Sequence, residues 1–100
     1  MKIEFEWDKY KAEINLRKHG VAFEDAVRAY SDPHGLQELE RHVEGEERWQ
    51  TIGMVNGQLI LLVVHTNFEV EQVEVVRIIS ARLATNSERR RYEEAYNSSI

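Results

Sequence analysis

The chain has 100 residues, 42% of them hydrophobic and 31% charged, with no cysteine and a formal net charge of −5. That length holds one core, so a single domain over residues 1–100 is expected, without a disulfide framework or thiolate metal sites. The acidic balance argues against a general nucleic-acid coat protein, and no run approaches the roughly 20 apolar residues of a membrane span.

In "KIEFEW", Ile3, Phe5 and Trp7 alternate with Lys2, Glu4 and Glu6, the period of a half-buried strand. The surrounding "MKIEFEWDKYK" carries interleaved charges and no signal-peptide stretch, which fits a cytoplasmic protein. Asp8 can cap a helix that runs to about His19 and stops at Gly20. Ala12, Leu16 and His19 form one stripe of this helix, and Lys11, Asn15 and Lys18 align on the neighbouring face. A second helix is expected from Phe23 to Tyr30, ended by Pro33, which disfavours helical geometry at Asp32. "GLQELERHV" reads as an irregular polar strand and "ERWQTIGMV" as a better one. Asn56–Gly57 is a hairpin signal into "QLILLVVHT". "NFEVE" is expected as a longer turn before the β-branched "QVEVVRIISA". In the last helix, "ATNSERRRYEEAY", Thr85 and Glu88 have capping-box spacing, and Tyr92 and Tyr96 supply an inward stripe. The order β-α-α-β-β-β-β-α predicts an α+β fold, an antiparallel sheet packed with two N-terminal helices and one C-terminal helix.

Charge is unevenly spread. Glu38, Glu40, Glu44, Glu46 and Glu47 make the middle acidic, whereas Lys9, Lys11, Arg17 and Lys18, then Arg77, Arg82 and Arg89 to Arg91, are the basic groups. Lys18 and His19 have a structural explanation, since cations are favoured in a last helical turn. They also have a functional one: with Lys11 they would set two ammonium groups beside a residue type that titrates near neutrality, a plausible phosphate pocket. The four histidines lack the spacing that places two metal ligands on one helix face. Arg77, within an apolar run, needs a partner or a purpose; Glu47 or Glu74 could supply a salt bridge. Strict alternation sends Arg77 and Arg82 to opposite faces, a difficulty for one shared site. "ERRRYEE" reads either as a solvated face with pairs such as Arg89–Glu93 and Arg90–Glu94, or as a surface for RNA or a partner.

Together, "FEWDKYKAEINLRKHGVAFEDAVRAYSDP", "ERWQTIG" and "RIISARLATNSERRRYEEAY" resemble the BrnT family of type II toxin–antitoxin toxins, in order and spacing over nearly the whole chain. The resemblance implies a RelE-like microbial ribonuclease toxin fold and cleavage of RNA without metal or cofactor, inhibiting translation and growth. It also implies a heteromeric complex with a BrnA-like antitoxin, through which operator DNA would be bound; that no membrane is a partner is expected from the short apolar runs. The matching polar positions are Lys11, Asn15, Lys18, His19, Glu47, Arg48, Arg77, Arg82, Glu88, Arg89 and Tyr92. One departure stands out: a threonine followed by a charged pair such as Glu-Arg is common in the family, but here Thr66 precedes Asn67 and Phe68.

A metal-free ribonuclease can use the substrate's own 2′-hydroxyl as nucleophile, given a base, an acid and cations for the transition-state charge. His19 is the candidate acid or base. Glu47 is a second candidate base or else a structural partner of Arg77. Arg77, Arg82 and Lys18 would stabilise charge, and Lys11, Lys18 and Arg89 would hold RNA. The rival reading is a catalytically weak or inactive relative serving as an antitoxin-binding corepressor, which the acidic middle and the missing arginine favour. The enzyme requires His19 and at least one of Arg77 or Arg82 within reach of one substrate.

Overall fold

The computed structural model describes residues 2–98. Its elements are β1 (Lys2–Glu6), α1 (Lys9–His19), α2 (Phe23–Tyr30), β2 (Leu36–Val43), β3 (Glu46–Val55), β4 (Leu59–Val70), β5 (Val73–Leu83) and α3 (Asn86–Ser98). The predicted helix signals act as expected. Asp8 accepts hydrogen bonds from the Tyr10 and Lys11 amides, and Gly20 closes α1 at φ 71°. Thr85 and Glu88 exchange side-chain-to-backbone bonds of 2.9 and 3.2 Å, a complete capping box.

The five strands form one sheet in the order β1-β5-β4-β3-β2. β2 to β5 meander antiparallel, but β1 lies parallel to β5, with Glu6 opposite Arg77. The sheet is therefore mixed, a correction to the antiparallel expectation. Periodicity identifies a strand but not its direction. Direction is set by the α1–α2 excursion, which carries the chain to the far edge before the meander returns to β1. The expected longer turn at "NFEVE" is also corrected: β4 continues to Val70, and Glu71–Gln72, both at positive φ, make a tight two-residue turn.

Helices cover both faces. α1 and α2 lie over Leu61, Val63, Val76, Ile78 and Ala81, with Phe23, Ala26 and Ala29 buried among them. On the other face Tyr92 of α3 packs on Ile52, Ile60 and Leu62. α2 approaches the sheet so closely that a Cβ at Gly53 would sit 2.0 Å from the Ala29 carbonyl oxygen. Under α2 lies a buried polar chain. His65 bonds Thr51 at 2.8 Å and Asn67 at 2.7 Å, and the Asn67 amide donates to Tyr30 and Glu74. Because the Asn67 oxygen must accept, the ring carries its proton on Nδ1 and accepts from Thr51. α3 is held by the Tyr92 hydroxyl, which donates to Asp32 at 2.5 Å. Among the described residues, no helix is long and apolar enough to cross a membrane.

Candidate functional site

β1 ends at Glu6, so the outer edge of β5 beyond Arg77 is left for another element to satisfy. α1 supplies it. The Asn15 Oδ1 accepts from the Ala81 amide at 3.1 Å, and its Nδ2 donates to the Ala81 carbonyl at 2.8 Å and the Val21 carbonyl at 3.0 Å. One side-chain amide pairs with the strand as a neighbouring peptide would. Asn15 is buried in consequence, whereas Leu16, expected on the inward stripe, is 50% exposed. The sequence aligned Asn15 with Lys11 and Lys18 on one helix face; its bonds make it the pin between helix and sheet.

Lys11 and Lys18 flank this pin on the same face of α1. Where β1 gives way to α1, a cavity of about 470 Å³ is lined by Lys11, Arg77, Ile79, Glu6 and Asp8. Further along, a second of about 200 Å³ is lined by Lys11, Lys18, His19, Ile79 and Ser80. Lys11 and Ile79 belong to both, so the two form one groove along the β5 edge with Arg77 at one end and His19 at the other. Lys11 and Lys18 span about 10 Å of helix axis at 1.5 Å per residue, roughly three steps of a stacked nucleic-acid strand. His19 also lines a cavity of about 290 Å³ with Asp25, Leu59 and Leu83 at the end of α1. The groove is not purely cationic, since Glu6 holds Arg77 through contacts of 2.6 and 2.7 Å. Neither Glu47 nor Glu74, the partners considered from sequence, makes that bridge.

The register of β5 resolves the difficulty of its two arginines. Val64 faces Ser80 but His65 faces Ile78, so Ile79 is an extra, bulged residue. The alternation slips by one there. Arg77, opposite Thr66, and Arg82, opposite Leu62, consequently share the α3 face. Arg82 is engaged there: it donates to both carboxylate oxygens of Glu88 at 2.8 and 3.0 Å. The Arg82 bonds, with those from Thr85, outweigh burial and hold the Glu88 carboxyl down at about 2. Arg82 thus anchors α3 and lines neither cavity of the groove.

The remaining predicted residues lie elsewhere. Glu47 sits at the β2–β3 hairpin, 3.7 Å from His42. It is eight residues up β3 from Val55, which lines the His19 cavity, or roughly 25 Å of strand. Arg89 is exposed on α3, and the salt bridge from the helix's arginine run joins Arg91 to Glu38 rather than the expected i, i+4 pairs. Sequence reasoning gave no role to Ile79, whose bulge sets the site, and β-branched runs carry no signal for one. Among the described residues, no group of three or more His, Asp or Glu side chains is arranged to hold a metal ion.

A family model described as "Ribonuclease toxin, BrnT, of type II toxin-antitoxin system" matches residues 7–88, from the approach to α1 through the α3 cap. The 1.1 Å crystal structure of the Brucella abortus ribonuclease toxin BrnT is similar, with a TM-score of 0.57 and 25% identity over 86% of this chain and 100% of that one. No curated protein matches the chain. With more than three quarters of its length inside the family model and the same fold in a solved BrnT toxin, the chain belongs to the BrnT family of ribonuclease toxins of type II toxin–antitoxin systems.

Proposed function

We propose that this chain is a metal-independent endoribonuclease of RelE-like fold that acts in the cytoplasm, arrests translation and growth, and is neutralised in complex with a BrnA-like antitoxin. Family membership supplies the toxin and antitoxin framework. The observation that supports the catalytic reading is the groove, in which Lys11, Lys18, His19 and Arg77 line adjoining cavities along one strand edge.

RNA lies along this edge, its phosphates met by Lys11 and Lys18. The 2′-oxygen attacks the adjacent phosphorus while His19 takes its proton. The bond to the 5′-oxygen breaks, a 2′,3′-cyclic phosphate forms, and the imidazolium returns the proton to the departing 5′-oxygen. Arg77 and Lys18 oppose the extra negative charge of the transition state. Arg82 serves this reading through α3, and Glu47 and Arg89 line neither cavity of the groove.

The test is cleavage of a mixed RNA substrate with chelator present, comparing the parent with His19→Ala and Arg77→Ala. We expect a loss of at least about 100-fold for each, the usual scale for an acid–base group or a transition-state cation. Cleavage that both variants retain would discard the site. One observation favours the rival reading of an inactive, antitoxin-binding relative: Glu6 already neutralises Arg77. A parent that binds antitoxin but leaves RNA intact, with chelator or without, would establish it.

A further inference from the structure

We propose that Arg48, Thr66 and Arg77 form a binding site for one phosphate group of an RNA strand, on the face of the sheet opposite α1. Thr66 is 2% exposed, and among the described residues its hydroxyl has no hydrogen-bond partner; the buried Nε of Arg48 likewise has none there. The two belong together. Trp49 lies opposite His65, so Arg48 and Thr66 come next along β3 and β4, pointing to the other face. Arg77 stands directly across from Thr66 on β5, and Arg41 across from Arg48 on β2. The row therefore reads Arg41, Arg48, Thr66, Arg77.

Its charges are not balanced. Arg41 has Glu40 at 2.9 Å and Arg77 has Glu6, but half-buried Arg48 has no carboxylate partner among the described residues. A guanidinium N–H can only donate, and a hydroxyl can donate alongside it, so the missing group is an acceptor. Between two further arginines that acceptor is best an anion with several oxygens, and a tetrahedral phosphate can take the Thr66 hydroxyl and the Arg48 fork together. A strand of nucleic acid is favoured over an acidic peptide by the next residue on this face. Phe68 is 38% exposed, with the Arg77 guanidinium 5.9 Å from its ring centroid, a platform for a base beside the phosphate. That the strand is RNA rests on the ribonuclease reading; the anion site does not.

The experiment follows the arginine Nε–H resonances of the full chain by NMR while titrating inorganic phosphate, then a pentathymidylate DNA strand that lacks the 2′-hydroxyl. Arg48 is expected to shift saturably with both. Arg48→Gln should weaken the oligonucleotide by about tenfold and lower the salt slope by about one. Thr66→Val should weaken it by about threefold while keeping or raising the thermal midpoint, because it removes a buried hydroxyl that lacks a partner. An unmoved Arg48 resonance, or parent-like binding by Arg48→Gln, overturns the site. A response to phosphate but not to the strand overturns its assignment to nucleic acid. RNA cleavage measured alongside separates the two readings. A parent that binds through Arg48 without cleaving keeps this site and removes the activity; cleavage with an unresponsive Arg48 does the reverse.

Discussion

Replacing Asn15 by alanine tests whether a side chain stands in for a missing strand. The variant loses three hydrogen bonds and leaves the Ala81 amide, the Ala81 carbonyl and the Val21 carbonyl without their partner. A buried group deprived of its partner costs about 1–3 kcal/mol, more than the net worth of the bond. The Asn15 side chain borders the groove, so water can reach part of the gap, and the low end applies. The expected loss is about 3 kcal/mol, a substantial share of the ~5–15 kcal/mol that holds a domain of this size. Urea unfolding monitored by tryptophan fluorescence measures it. Asn15→Asp sharpens the result, since it keeps an acceptor for the Ala81 amide but sets a carboxylate against two carbonyl oxygens. Its loss at neutral pH should be at least as large. A cost below about 1 kcal/mol in Asn15→Ala, with unchanged denaturant dependence, would show that α1 does not rely on this pairing.

Gly53→Ala should cost about 3 kcal/mol or more, because the new Cβ meets α2 backbone rather than a movable side chain; a thermal midpoint lowered by less than about 5 °C would contradict that. Burial lowers the pKa of His65 below its ordinary value of 6.5 against the opposing effects of Asn67 and Glu74. The unfolded chain therefore takes up the proton first. Stability from this group is complete above about pH 6.5 and declines as pH falls below it, by up to ~1.4 kcal/mol per unit, until the folded-state pKa is reached. Unfolding at pH 7, 6 and 5 measures the decline, and a flat profile would refute it. Glu88, held at about 2 against an ordinary 4.5, contributes fully above about pH 4.5 and loses that contribution as pH falls through about 2. Glu88→Gln should lower the thermal midpoint at pH 7 by about 5 °C and flatten that acid decline.

Local signals carried most of the architecture. Asp8, Gly20, Asn56–Gly57 and the Thr85–Glu88 box act through neighbours a few residues away, so a sequence displays them directly. What escaped depends on distant partners. The direction of β1 is fixed by where the meander returns, and Asn15 pairs with Ala81, 66 residues away. The Ile79 bulge leaves no trace in composition, yet it moves Arg82 off the face that alternation assigns relative to Arg77. Lys11, Lys18 and His19 could be grouped in advance because one helix carries all three. Arg77 joined them only through the family resemblance, since no local spacing links a residue of β5 to α1.

The short length of β1 ties these features together. Had the strand continued past Glu6, its backbone would take the Ala81 groups that Asn15 now holds. α1 would be displaced, and the cavities shared by Lys11 and Ile79 would close. By stopping at Glu6, β1 leaves Arg77 at a corner: its backbone is paired, its side chain lies in the row with Thr66, and it borders the cavity that Lys11 also lines. On the proposed reading, one strand of RNA can then rest a phosphate between Arg48 and Thr66 and turn the edge at Arg77 toward Lys18 and His19. Glu6 pairs with Arg77, and on the same reading it competes with the strand for that guanidinium, so Glu6→Gln should tighten binding of the pentathymidylate strand, by about threefold for one exposed carboxylate charge removed. A strand that bound both forms equally would mean that its path does not cross the Arg77 corner.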